Sequence, residues 1–126
     1  MSAAGEPAIA VDGVITVNNP NQFRDSTAFV VRLPRGIRSK HKLFAILADK
    51  LRFPTYFGWN WDACEELLRD LSWLPGQPIV IVHEDLPFGA GGENRPLYEQ
   101  LIRDVALHWQ AVQPGRLRFV VPVNAR

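Results

Sequence analysis

Ile79-Val80-Ile81-Val82 is apolar at every position, and this run constrains the fold more than any other feature of the chain. A strand with one wet face alternates in polarity, whereas an unbroken apolar run needs both faces covered, as in the interior of a parallel sheet. Parallel neighbours in turn require crossover connections, usually helical and right-handed. Two other runs can pair with it. Ala28-Phe29-Val30-Val31-Arg32-Leu33 is closed by Pro34, and Leu117-Arg118-Phe119-Val120-Val121 comes late in the chain. β-branched and aromatic residues suit a pleated surface, and proline ends a ladder.

The segments between these runs carry helical spacing. Ser39 caps a first helix in which Leu43, Ile46, Leu47, Lys50 and Leu51 share a face, and which ends before Pro54. Asn60 caps a second, predicted from about Trp61 to Leu71. Pro96 suits the first turn of a third, with Leu97, Leu101, Ile102, Val105 and Trp109 at apolar positions and Gln113-Pro114-Gly115 as its stop. The order strand, two helices, strand, helix, strand predicts an α/β fold, a three-stranded parallel sheet with helices packed against it. Residues 1–27, rich in Ala, Gly, Pro and Asn, read as a loosely attached N-terminal arm with one short strand at Val14-Ile15-Thr16-Val17. The expected organisation is an arm over 1–27 and a single domain over 28–126.

Composition narrows the function. The 126 residues carry a formal net charge of +1, so no whole-molecule field selects nucleic acid or an anionic membrane, and charge-driven binding has to be local. Direct nucleic-acid binding and membrane association are not expected. Cys64 is the only cysteine, which rules out an intramolecular disulfide and favours a reducing compartment. The opening MSAAGEPAIAVDG has neither a basic start nor an unbroken apolar run, so a cytoplasmic location is expected. No G-x-S-x-G, C-x-x-C or H-E-x-x-H occurs, and no cofactor is expected.

On the second helix, Cys64, Leu67, Leu68 and Leu71 form an apolar stripe. Asp62, Glu66, Arg69 and Asp70 lie on another face. From Asp62 to Asp70 four acids meet one arginine, a concentration of negative charge in a nearly neutral chain. Like charges four residues apart repel by a few tenths of a kcal/mol, and Arg69 is placed to relieve part of that. An acidic stripe alone is an ordinary solvated face. His83-Glu84-Asp85 lies beyond the second strand, where α/β sheets place ligand residues, but adjacent residues on an extended chain diverge, so a solvated strand end is the plainer reading. An alternative keeps Asp62, Glu66 and His83 together as a small metal-dependent hydrolase site. Phe88-Gly89-Ala90-Gly91-Gly92-Glu93-Asn94 lacks the lysine and spacing of a phosphate loop and reads as a flexible connection. His41 and His108 stand alone on predicted helices, and Trp61, Trp73 and Trp109 fall on or near apolar stripes.

Phe53-Pro54-Thr55-Tyr56-Phe57-Gly58-Trp59-Asn60-Trp61-Asp62-Ala63 resembles the barstar family's Leu-Pro-x-Tyr-Tyr-Gly-x-Asn-Leu-Asp-Ala stretch, with proline, tyrosine, glycine, asparagine and aspartate in register. The resemblance extends over about residues 28–123. It implies a barstar-like fold and a cytoplasmic, non-enzymatic inhibitor that blocks a basic ribonuclease with an acidic helix and is monomeric when free, including the setting of an immunity protein for a nuclease toxin. It implies that Tyr56 and Gly58 contact the nuclease from the loop, with Asn60 beside them; Trp59 stands at a family position that is usually polar and is read as a partner contact because aromatics are over-represented in binding anchors. Asp62 matches an interface aspartate, and Glu66 stands where the family's strongest anchor is an aspartate, one methylene shorter. Arg69 and Asp70 stand where the family has small uncharged residues, and Asp104 matches a peripheral acid on the last helix. A barstar-fold adaptor with a non-nuclease, cationic partner is the other binding alternative.

Overall fold

The computed structural model describes residues 8–11 and 13–123. The strands are β1 (Ala8–Val11), β2 (Val14–Val17), β3 (Phe29–Leu33), β4 (Ile79–His83) and β5 (Leu117–Pro122). The helices are α1 (Lys40–Lys50), α2 (Trp61–Leu68) and α3 (Asn94–Val112). They form one sheet in the order β1-β2-β5-β4-β3. β2, β5, β4 and β3 run parallel, and β1 is antiparallel to β2.

The α/β class is as the sequence predicts, but the strand count is corrected from three to five. Val14–Val17 is no loose arm: it pairs with β5 from Val14 opposite Phe119 to Val17 opposite Pro122. The break at Asn18-Asn19-Pro20-Asn21 is a turn rather than a tether, because a 3-10 turn at Pro20–Gln22 sends the chain back across the sheet. Residues 1–7, the first part of that arm, lie outside the described residues.

β4 is buried at all five positions, as its composition demands. Alternate residues divide between two cores. Val31, Leu33, Ile79, Ile81, Leu117 and Phe119 join the helices' Leu43, Phe44, Leu47, Cys64, Leu68, Tyr98 and Trp109. Val17, Val80, Val82 and Val120 form a smaller cluster on the opposite face, covered by Ile15, Phe23, Ala28 and Val30. Burying each such aliphatic side chain contributes about 1.5–3 kcal/mol relative to exposure.

α1 buries Leu43, Phe44 and Leu47, while Lys50, placed on that face by spacing, is exposed. On α3 Leu97 is 45% exposed and Tyr98 takes the buried position instead. α2 stops at Leu68 rather than Leu71, and Leu71 adopts a φ of 53°. Two buried arginines hold the loops that flank β4. Arg116 donates to the carbonyls of Leu71, Pro75 and Gln77 at 2.9, 2.8 and 2.6 Å. Arg95 donates to those of Pro87 and Phe88, both at 2.9 Å, so the root of the glycine loop is clamped, whereas Gly89 to Glu93 are exposed.

Candidate functional site: the acidic face of α2

The loop from Pro54 to Asn60 aims α2. Asn60 is extended, and its Oδ1 accepts from the Ala63 N–H at 2.8 Å, which satisfies one of the helix's unpaired donors. Its Nδ2 donates to the Gly58 carbonyl at 3.3 Å. A Cβ on Gly58 would sit 3.1 Å from Asn60 Nδ2, so a side chain there would press on the cap. Asn60 therefore has a structural duty within the site. Phe57 is buried against Phe44 and Phe53, while Tyr56 is 74% exposed.

Trp59 is 43% exposed and adopts a φ of 56°, the left-handed region that bulky residues seldom enter. Its ring stacks on His41 of α1, with centroids 5.0 Å apart and planes 21° from parallel, and lies 5.3 Å from Phe57. His41 is thus not alone on its helix. Eighteen residues separate it from Trp59, and no local signal joins them.

The inner side of α2 carries Cys64, Leu67 and Leu68, all buried, and the Trp109 indole donates to the Leu68 carbonyl at 2.8 Å to tie α2 to α3. Burial pushes the Cys64 thiol up to about 12, with the nearby Glu65 charge adding to it, so the thiol stays protonated and unreactive. The outer side brings Asp62, Glu65, Glu66 and Arg69 together around a shallow, open concavity. Arg69 pairs with Glu65 at 3.2 Å rather than with Asp62 or Glu66. Among the described residues, neither of the two ion pairs involves Asp62 or Glu66, and both are exposed. Asp62 also sits in the first turn, where the helix dipole favours an anion.

Asp70 and Asp104 stand apart from this concavity. Asp70 falls beyond the end of α2, and its carboxylate accepts from the Ser72 N–H at 3.3 Å. Asp104 is half-buried on α3 and accepts from Gln100 Nε2 at 2.9 Å.

His83 overturns its expectation as a solvated strand end. It is fully buried; Nδ1 donates to the Val120 carbonyl at 2.8 Å, and Nε2 accepts from the Tyr98 hydroxyl at 2.7 Å. The carbonyl can only accept, which fixes the tautomer. Burial lowers its pKa to about 4, against the Val120 bond and the Asp85 charge, and burial raises that of Tyr98 well above the phenol's ordinary range. With both ring nitrogens engaged inside the core, His83 cannot join the exposed Asp62 and Glu66 in a hydrolytic site. Among the described residues, no three His, Cys, Asp or Glu side chains are grouped to hold a metal ion.

The described geometry is a capped acidic helix, entered through Tyr56-Phe57-Gly58 and packed on a parallel sheet. The barstar family, described as barstar (barnase inhibitor), matches residues 28–121. The chain belongs to that family. The match takes in the whole of α2 and its loop, and leaves β1 and β2 outside. No curated protein and no solved structure matches the chain significantly. No helix among the described residues is long and apolar enough to cross a membrane.

Proposed function

We propose that the chain is a protein inhibitor of a basic ribonuclease, without catalysis of its own, that fills the nuclease's active site with the outer face of α2. The observation that carries this is the division of the acids. Glu65 is neutralised by Arg69, while Asp62 and Glu66 present solvated carboxylates that take part in neither ion pair among the described residues. A ribonuclease cleft binds phosphate with converging Arg, Lys and His donors, and a carboxylate offers those donors the same acceptor geometry. Exposed Tyr56 and Trp59 flank the acids as aromatic anchors, the residue types enriched in binding hot spots. Gly58 and Asn60 hold the loop that aims them, and Arg69, Asp70 and Asp104 form the periphery. The natural setting is cytoplasmic, as for an immunity protein that keeps a nuclease silent in the cell that makes it.

Titration of barnase, the enzyme in the family's name, and of a panel of other basic ribonucleases tests this directly. Inhibition of at least one is expected, and Asp62→Ala and Glu66→Ala should each weaken it tenfold or more, about 1.4 kcal/mol. Inhibition unchanged in both variants would remove the helix from the mechanism, and no inhibition across the panel would sink the reading.

A further inference from the structure

α1 breaks a rule that α2 obeys. The N-terminus of a helix is partially positive, so acids stabilise its first turn and bases do not. α2 has Asp62 there, whereas α1 has no acid and carries Lys40 and Lys42. Arg35 and Arg38 precede them in the loop from β3, and no acid occurs anywhere between Pro34 and Ala48. All four cations are exposed, and among the described residues neither ion pair involves them. Gathering positive charge at a positive helix end costs stability locally, and such conflicts persist where something outside the element uses the charge.

The basic and acidic regions meet at one seam. His41, between Lys40 and Lys42, stacks on Trp59, and Trp59 immediately precedes the Asn60 cap of α2. The surface therefore runs from Lys40 and Lys42, across an exposed and strained tryptophan, to Asp62 and Glu66. Those acids extend roughly 9 Å along the helix axis from the cap.

We infer that this bipolar surface is self-complementary and that two copies of the chain associate through it as a two-fold dimer. In an isologous interface residue i of one copy meets j of the other, and j meets i. A two-fold axis lying in the interface, passing near Trp59 and across the line from bases to acids, sets Lys40 and Lys42 of each copy over Asp62 and Glu66 of the other. The net charge of +1 leaves little long-range repulsion between copies. A polyanion such as RNA fits less well, because a strand covering the bases also meets the carboxylates beside them. A second copy carries both signs at matching separation by its nature. The dimer covers the face assigned above to the nuclease, so the two compete, and the free inhibitor keeps its carboxylates masked. That last consequence rests on the inhibitor reading; the dimer does not.

Sedimentation equilibrium of the full chain and of two charge reversals, Lys40→Glu/Lys42→Glu and Asp62→Lys/Glu66→Lys, tests the pairing. The wild type should dimerise, with a dissociation constant at least tenfold weaker in about 500 mM than in about 20 mM salt. Each reversal alone should be monomeric, and an equimolar mixture of the two should recover a heterodimer, since each reversed face then meets its opposite. Circular dichroism checks that both fold. Lys40→Glu/Lys42→Glu puts acids where the helix dipole favours them and decides alone if the other does not fold. A wild type that stays monomeric at low salt, a dimer that survives the lysine reversal, or two folded reversals that fail to pair would overturn the proposal. Dimerisation without inhibition of any ribonuclease would keep this proposal and sink the other.

Discussion

The two faces of the sheet are built by different means. On the inner face, α1, α2 and α3 lay down a deep apolar core that includes Phe44, Leu68, Tyr98 and Phe119, with one buried polar pair, His83 and Tyr98, set inside it. On the outer face four valines are covered by a single pass of chain, residues 18–28, held down by arginines. Arg32 donates to the carbonyls of Pro20 and Phe23, and Arg118 pairs with Asp25 at 2.7 Å. The family match begins at residue 28 and leaves β2 and nearly all of the outer cover outside it. Apolar volume holds one face, and charge-assisted bonds to backbone pin the other. A thin cover is enough for short valines and would not be for a second layer of aromatics.

Four measurements separate the two faces. Removing residues 1–27 should have the largest effect, because it strips β2 and the cover from Val80, Val82 and Val120, which are fully buried. Three exposed valines alone are worth about 5 kcal/mol or more, so the truncated chain should lose cooperative thermal unfolding or aggregate. A truncation that keeps the full chain's melting temperature would show the outer face to be dispensable.

Acid should reach the inner face first. His83 is held neutral with its pKa lowered to about 4, so the unfolded chain takes up a proton between pH 6.5 and 4 that the folded chain refuses. Stability should be complete above pH 6.5 and fall by up to roughly 3 kcal/mol as the pH drops to 4. Denaturant titrations across that window check the slope, which should vanish in His83→Leu. At constant pH 7, Tyr98→Phe should cost about 2 kcal/mol, because it leaves Nε2 of His83 buried without its donor. An unchanged denaturation midpoint would mean that the pair contributes nothing.

The outer face should respond last and least. The Asp25 carboxyl is lowered to about 2, first by the Thr27 hydroxyl and then by Arg118. Its stabilisation is present above the ordinary carboxyl pKa of 3.8 and is lost as the pH falls through 2. The pair is partly solvated, so Asp25→Asn should cost no more than about 1 kcal/mol at pH 7 and should flatten stability only below pH 4.

Most of the inner face is legible from local pattern. The unbroken apolar run gives β4, runs of β-branched and aromatic residues give β3 and β5, and helical spacing with Ser39 and Asn60 as caps gives α1 and α2. The failures lie where distant residues decide. β1 escapes because Ala8-Ile9-Ala10-Val11 is half alanine, a weak strand former, and needs β2 as a template. The end of α2 escapes because Leu71, not a glycine, adopts the left-handed turn. His83 looks solvated beside Glu84 and Asp85, and only Tyr98, fifteen residues on, shows otherwise. In the candidate site, the acids and their cap are visible in sequence, but the Arg69 to Glu65 pairing and the His41 to Trp59 stack are not.

The position of β5 has a consequence for how the molecule comes into being. It lies between β2 and β4, yet it is the last of the described strands in the chain. During synthesis β2 and the β3 and β4 pair therefore wait on either side of an empty lane, with valine edges exposed until β5 leaves the ribosome and slots between them. Folding should then close in one late step, so that a ribosome stalled inside α3 displays no complete sheet behind α2, and only a chain read through β5 joins its two halves.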